Sequence, residues 1–199
     1  MNPPNPEIVL IVGDLHIPSR VQDVPEQFKN ILLPHKVQHV LSLGNIGSKE
    51  TYDWLKSLSN NFHGVKGEID EVTNLPETSV VQIGEFRIGM IHGHQVTPWN
   101  DQESLINILN QLGCDILLSG HTHSSNVTLF KGKHFINPGS LTGAYSPLSL
   151  ECNPSFMILV IQGDAAQLYY YEINSSNLKF EVSKTEFTKI IEDKEEEEK

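Results

Sequence analysis

Basic residues are scarce in this chain: 14 lysines and arginines stand against 25 aspartates and glutamates, a formal charge of −11 over 199 residues. A surface of that sign repels phosphate backbones and anionic headgroups, which argues against nucleic acid and against direct docking on an acidic membrane. Part of the excess is confined to Glu192-Asp193-Lys194-Glu195-Glu196-Glu197-Glu198-Lys199, so residues 186–199 are expected to form a solvated, disordered acidic tail. Cysteine is almost absent. Cys114 and Cys152 share no CxxC spacing, so neither a disulfide framework nor a redox motif is indicated, and free thiols in a reducing compartment are expected. Long apolar runs are missing too: Phe156-Met157-Ile158-Leu159-Val160-Ile161 is the most apolar stretch, far short of the roughly 20 residues of a membrane span. The proline-rich residues 1–6 lack the basic and apolar regions of a signal peptide and read as a flexible terminus. The expectation is a cytoplasmic protein that reaches membranes only through partners.

A chain of 199 residues with 38% apolar content suffices for one domain with a full core, expected over residues 7–185. Its first half alternates strand and helix patterns. Glu7-Ile8-Val9-Leu10-Ile11-Val12 and Val37 to Leu43 are near-continuous apolar runs, as in strands covered on both faces. Between them, Pro25 to Leu33 places Phe28, Ile31 and Leu32 on one helical face, with Pro34 as the stop. Ser48 caps a helix through Tyr52, Trp54, Leu55 and Leu58, and Phe62 to Val65 forms the next strand. Ser79 to Ile83 and Phe86 to Ile91 flank Gly84-Glu85 as a hairpin. Asp101 opens a helix with the stripe Leu105, Ile108, Leu109, Leu112, and the strand Ile116-Leu117-Leu118 follows. Beyond it, Val127 to Phe130, His134 to Ile136, Phe156 to Ile161, Gln167 to Ile173 and Leu178 to Val182 succeed one another without helices. The order predicts an α/β fold with a parallel first sheet and an antiparallel second one.

Strand after strand ends in glycine plus a polar group. In order these are Asp14 and His16, Asn45, Glu68 and Asp70, His92 and His94, and His121 and His123. One such pair means little; five junctions at strand carboxyl ends, where open α/β sheets build their sites, are hard to obtain by chance. Neutral imidazole suits Zn, Fe and Mn, while carboxylate and amide oxygens suit harder ions. The set therefore predicts two sites for divalent metal (Zn, Mn or Mg), about 3.5–4 Å apart and able to clamp a phosphate. His94 and Asp70 read as loop braces. His35, His39, His63 and His134 are scattered and need no functional account.

The blocks Asp14-Leu15-His16, Gly44-Asn45, Gly67-Glu68-Ile69-Asp70, Gly93 with its flanking histidines, and Gly120-His121-Thr122-His123 resemble, in order, the five motifs of the calcineurin-like metallophosphoesterases. The resemblance implies a metallophosphoesterase-like two-layer β-sandwich of mixed sheets flanked by helices. It further implies that Asp14, His16, Asn45 and His123 surround one metal and Asn45, Glu68, His92 and His121 the other, with Asn45 as the bridge. Three positions depart from the pattern. Asn45 stands where the family's bridge is an aspartate, Glu68 where an asparagine is usual, and Ile69 where a histidine stabilises the phosphate or protonates the leaving group. The first two roughly conserve ligand charge. The third removes a general acid, a contribution of roughly 10²–10⁴-fold in rate. A site that holds metal and hydrolyses poorly is the expectation.

Gly13-Asp14-Leu15-His16-Ile17-Pro18, Ile91-His92-Gly93-His94-Gln95-Val96 with Pro98-Trp99, and Ile136-Asn137-Pro138-Gly139-Ser140 with Thr142-Gly143-Ala144-Tyr145 are similar to the vacuolar protein sorting-associated protein 29 family, the small subunit of retromer. This implies a non-catalytic scaffold on endosomes, in a complex that recycles cargo receptors to the Golgi or plasma membrane. A large helical-solenoid subunit is expected to cover the metal-site loops, with Ile17, Val96 and Trp99 as contacts; Trp99 is read either as an interface anchor or as core. Regulators are expected on an apolar patch containing Leu10, Ile158 and Tyr170, and sorting nexins complete the partner set. The rival reading is a working Mn- or Zn-dependent phosphodiesterase or phosphatase.

Overall fold

A computed structural model describes residues 4–70, 74–148 and 150–189. Half of the expected flexible terminus (1–3) and most of the expected acidic tail (190–199) lie outside the described residues. In chain order the elements are β1 (Glu7–Val12), α1 (Glu26–Lys29), β2 (His39–Ser42), α2 (Lys49–Ser57), β3 (Asn61–Gly64), β4 (Thr78–Ile83), β5 (Phe86–Ile91), α3 (Gln102–Leu112), β6 (Ile116–Ser119), β7 (Asn126–Phe130), β8 (Lys133–Asn137), β9 (Ser155–Gln162), β10 (Ala165–Ile173) and β11 (Phe180–Thr188). No described helix is long and apolar enough to cross a membrane.

Alternate residues of β1 face two different cores, because side chains along a strand point to opposite faces. Val9 and Ile11 join Leu41, Ile88, Met90, Leu118 and Leu159 between two sheets, whereas Leu10 and Val12 pack outward with Phe28, Leu55 and Phe156.

β1, β2 and β3 are parallel, as are β5, β6 and β8. The expectation of a separate antiparallel second sheet is corrected. β9–β11 extend the first sheet, in the order β11-β10-β9-β1-β2-β3, and the β7–β8 hairpin completes the second, in the order β4-β5-β6-β8-β7. The reason lies in β9, which is apolar on both faces: Met157, Leu159 and Ile161 face the inter-sheet core and Phe156 the outer one. Such a strand needs cover on both sides, and a place beside β1 supplies it. The result is the sandwich of mixed sheets, with α1 and α2 on one outer face and α3 on the other, its Leu105 and Leu109 packed with Ile91 and Leu117.

Local chemistry sets the helix ends. Ser48 Oγ accepts the Thr51 N–H, and the Asp101 carboxylate accepts the Ser104 N–H, satisfying donors that a first helical turn leaves open. α1 is one turn, shorter than expected, because Pro34 disfavours helical backbone at Leu33 and no side chain caps its start. β11 continues to Thr188, three residues past the expected boundary at 185, and Phe187 stacks on His134 with ring centroids 4.0 Å apart.

Candidate metal centre

The loops after β1, β2, β3, β5 and β6 meet at one end of the sandwich. Asp14, His16, Asn45, His121 and His123 all have positive φ, between 51° and 71°. Left-handed backbone costs a non-glycine residue on the order of 1–2 kcal/mol, so the surroundings must hold it there. Backbone pairing does so: the Asp14 N–H donates to the Gly44 carbonyl (3.0 Å) and the His16 N–H to the Asn45 carbonyl (2.9 Å). The His121 N–H donates to Asp14 Oδ2 at 2.7 Å.

Asp70, 2% exposed, ties the β2 and β3 loops together. Its carboxylate accepts N–H groups from Asn45 (2.7 Å), Ile46 (2.9 Å), Gly47 (3.3 Å) and Gly67 (2.9 Å). The loops pack backbone against backbone: a Cβ on Gly67 would lie 2.2 Å from Asn45 Oδ1. Asp70 is thus the loop brace read from the sequence.

Two groups of donors result. Asp14, His16 and His123 form one, and Glu68, His92 and His94 the other, the ligand atoms within each lying no more than 4.8 Å apart. In the first, His16 Nε2 and His123 Nε2 are 3.1 Å apart, and His123 Nε2 is 3.5 Å from Asp14 Oδ1. His123 Nδ1 lies 2.6 Å from the Ala144 carbonyl, which can only accept, so this nitrogen carries the proton and Nε2 faces the centre bare. Burial, reinforced by the neighbouring His123 imidazole, pushes the His16 imidazole down to about 3, keeping it neutral.

In the second group, Glu68 Oε2 is 2.8 Å from His92 Nε2 and 3.8 Å from His94 Nδ1, while Oε1 is 3.3 Å from His121 Nδ1. Burial opposes charge on Glu68, but the His121 and His92 imidazoles beside it outweigh that and hold the carboxyl well below its usual range. For His92, burial favours the neutral ring, and the Glu68 carboxylate 2.8 Å away, together with the Asp14 charge, overrides it upward. Asp14 Oδ1, 3.8 Å from His92 Nε2, lies near both groups. His92 Nε2, His94 Nδ1 and both His121 nitrogens are buried without a hydrogen-bond partner. Orphaned nitrogens converging on carboxylates fit divalent metal, which when bound would supply Lewis-acid polarisation of a phosphate oxygen.

The seven expected donors thus come together, and His94, read as a brace, joins them. The expected partner contacts fare differently. Ile17 (8% exposed), Val96 (2%) and Leu10 (0%) are buried, because each fills a core between sheet and loop or helix. Trp99, 40% exposed, packs edge-on against His121 with centroids 4.5 Å apart. Leu10 and Ile158 are paired in register, and both border a cavity of about 320 Å³ with Ile8, Ile31 and Tyr171. Tyr170 is corrected: it points to the opposite face, where its hydroxyl meets Ser125 and Glu172, and the tyrosine in register with Ile158 is Tyr169. Sequence reasoning missed Tyr145, Leu148 and Leu150, exposed apolar side chains in the loop that follows Ala144. A run of apolar residues among turn formers was the available signal.

A family model for the calcineurin-like phosphoesterase superfamily domain matches residues 8–164. Vacuolar protein sorting-associated protein 29 of Schizosaccharomyces pombe is 35% identical over 178 residues, 87% of this chain and 95% of that protein. The structure of Vps29 from Cryptosporidium parvum superimposes with a TM-score of 0.89 at 40% identity, covering 92% of this chain and 99% of that one. The Zn²⁺ complex of wild-type Vps29 from Entamoeba histolytica does so with a TM-score of 0.84 at 44% identity, over 90% and 98%. With its fold, its loop motifs and its length all matched, the chain belongs to the vacuolar protein sorting-associated protein 29 family, within the calcineurin-like phosphoesterase superfamily.

Proposed function

We propose that this protein is a non-catalytic scaffold subunit of retromer, acting in endosome-to-Golgi and endosome-to-plasma-membrane transport. It binds the C-terminal helical solenoid of the large subunit through the metal-site end, meets sorting nexins within the same assembly, and is cytoplasmic, peripheral on endosomes through the complex. The observation that carries the reading is a preserved donor frame beside Ile69, which cannot move a proton, rimmed by exposed Trp99, Tyr145 and Leu148. Apolar side chains at the edge of a pre-shaped surface are what a helical partner buries. The cavity bordered by Leu10 and Ile158 offers a separate apolar site for regulators.

Affinity capture of the full chain from cytosol tests this. The expected result is recovery of a large helical subunit, lost on Trp99→Asp with the fold intact. Aryl phosphate turnover above that of metal in buffer, abolished by Asp14→Ala, supports the phosphoesterase reading instead. Ile69→His separates the two causes of silence: it raises turnover if the missing acid limits hydrolysis.

A further inference from the structure

We infer that the open side of the sandwich, where β7 and β11 end the two sheets, binds an extended peptide carrying two apolar residues and an arginine or lysine at alternate positions. The inference goes beyond the scaffold reading and does not depend on it.

β7 and β11 are the last strands of their sheets, so among the described residues neither has a strand on its outer edge. An edge strand offers a row of unpaired N–H and C=O groups. β11 carries Glu181, Lys184 and Glu186 along that edge, charges of the kind that discourage pairing, whereas Asn126–Phe130 of β7 holds neither charge nor proline. The face that β7 turns inward is also uncovered. Val127 and Leu129 lie opposite Ile136 and His134 of β8, and Ile136 belongs to the inter-sheet core, so both side chains point into the gap between the sheets. They nevertheless stay 37% and 61% exposed.

β10 and β11 supply the floor of this gap. Leu168 and Tyr170 lie opposite Thr185 and Ser183, and with Met157 and Val127 they border a cavity of about 220 Å³. A second cavity, of about 180 Å³, shares Ser125 with the first and continues to Glu151, Glu172 and His123. At the junction Ser125 Oγ donates to the Tyr170 hydroxyl at 2.8 Å, and that hydroxyl donates to Glu172. The trough thus has an apolar foot and an acidic head. In the head, Glu172 of β10 lies directly opposite Glu181 of β11, where like charges are destabilising. Lys184 is the single basic residue of β7, β10 and β11, and it turns to the other face with Tyr169, bonded to Glu186. A cation from outside the chain relieves the acidic pair.

Spacing sets the occupant. Ser125, Val127 and Leu129 alternate along the chain, so an antiparallel strand laid on β7 presents apolar, apolar and basic side chains, in that order from its N-terminus and at every second residue. Main-chain bonds to the free edge supply affinity, and the two cavities supply the choice of side chain.

The test adds the peptide acetyl-Ser-Val-Thr-Val-Thr-Arg-Ser-amide to the isotope-labelled full chain and follows its amide resonances. Saturable shifts are expected on β7 and at Tyr170, Glu172 and Ser183. Val127→Lys and Leu129→Lys, both at exposed positions, should each weaken binding at least about tenfold with an unchanged thermal transition. Glu172→Gln, which keeps an acceptor for the Tyr170 hydroxyl, should weaken the arginine peptide about fivefold and leave unchanged a peptide with glutamine in place of arginine. The inference is overturned if the shifts fall on the cavity bordered by Leu10 and Ile158, if none appear at millimolar peptide, if the reversed sequence binds equally well, or if the lysine variants bind as the unaltered chain does. A dimer in sedimentation that Val127→Lys dissociates would make a second copy of this chain the occupant, and overturns the peptide reading.

Discussion

The two halves of the donor cluster are built on different principles. Asp14, His16 and His123 are buried, and their positions are set by left-handed backbone and by main-chain partners at Gly44, Asn45 and Ala144. Glu68 is an exposed residue whose side-chain contacts are imidazoles, and Ile69 beside it is half-buried. The first half is shape produced by the main chain; in the second, only His92 is anchored to main chain, at the Leu43 carbonyl, and Glu68 is placed by the imidazoles around it. A change at position 69 can therefore remove proton transfer without disturbing the loops that give this end of the sandwich its form.

The largest effect is expected at Asp70, the carboxylate that ties the β2 loop to the β3 loop carrying Glu68. Asp70→Ala leaves four N–H groups without their acceptor and frees the β2 loop from the β3 loop. The expected cost is about 3–5 kcal/mol, by analogy with breaking a buried charged pair. It is read as a lower urea midpoint at unchanged slope. A loss below about 1 kcal/mol would show that the loops hold each other without it.

The halves also titrate in opposite senses. Folded His16 stays neutral down to about 3, whereas the unfolded ring takes a proton near its ordinary value of 6.5. The unfolded state then binds more protons in that interval, so stability falls as pH drops through it, by about 1 kcal/mol per pH unit. His92 is shifted upward, so its contribution is full below its ordinary value and is lost as pH rises through the folded one. Metal-free thermal melts should decline on both sides, and His16→Asn should flatten the acid limb alone. An unchanged acid limb would remove His16 as its cause.

How much of this was legible in the sequence follows the same division. The donors can be read because each follows an apolar run and a glycine, a local pattern. The partner contacts cannot: Ile17 and Val96 sit in loops that fold back over the cores, and burial of a loop residue depends on chain far away. Tyr170 escapes sequence reading for a simpler reason. A strand flanked by apolar residues on both faces gives no sign of which parity faces outward until its register with β9 is known. His94 reads as a brace from sequence because its meeting with Glu68 joins loops of different sheets.

Trp99 tests the exposed half against its partner. Its indole rests on His121 and is 40% exposed, so truncation removes contact area without opening a core. Trp99→Ala should weaken capture of the helical subunit by about 2 kcal/mol, roughly 30-fold, if it is a central anchor. Val96→Asp, by contrast, should act through folding, since Val96 is 2% exposed. Equal loss of thermal stability in both variants would argue against the anchor.

The smallest effect expected is the sharpest test of the division. Asn45→Asp is nearly isosteric, and aspartate tolerates the positive φ of 53° at this position. One oxygen can still accept the Ile69 N–H, but the other replaces an NH₂ that lies 3.5 Å from Asp14 Oδ1. Without metal, two carboxylates then face each other, at a cost on the order of 1 kcal/mol. With Zn²⁺ added the sign reverses, because an anionic carboxylate oxygen is a stronger ligand for a divalent cation than a neutral amide. The variant should melt below the unaltered chain in chelator and gain more on adding Zn²⁺. If the gain on adding metal is the same for both, Asn45 was already serving as a ligand, and the two halves form one bridged centre.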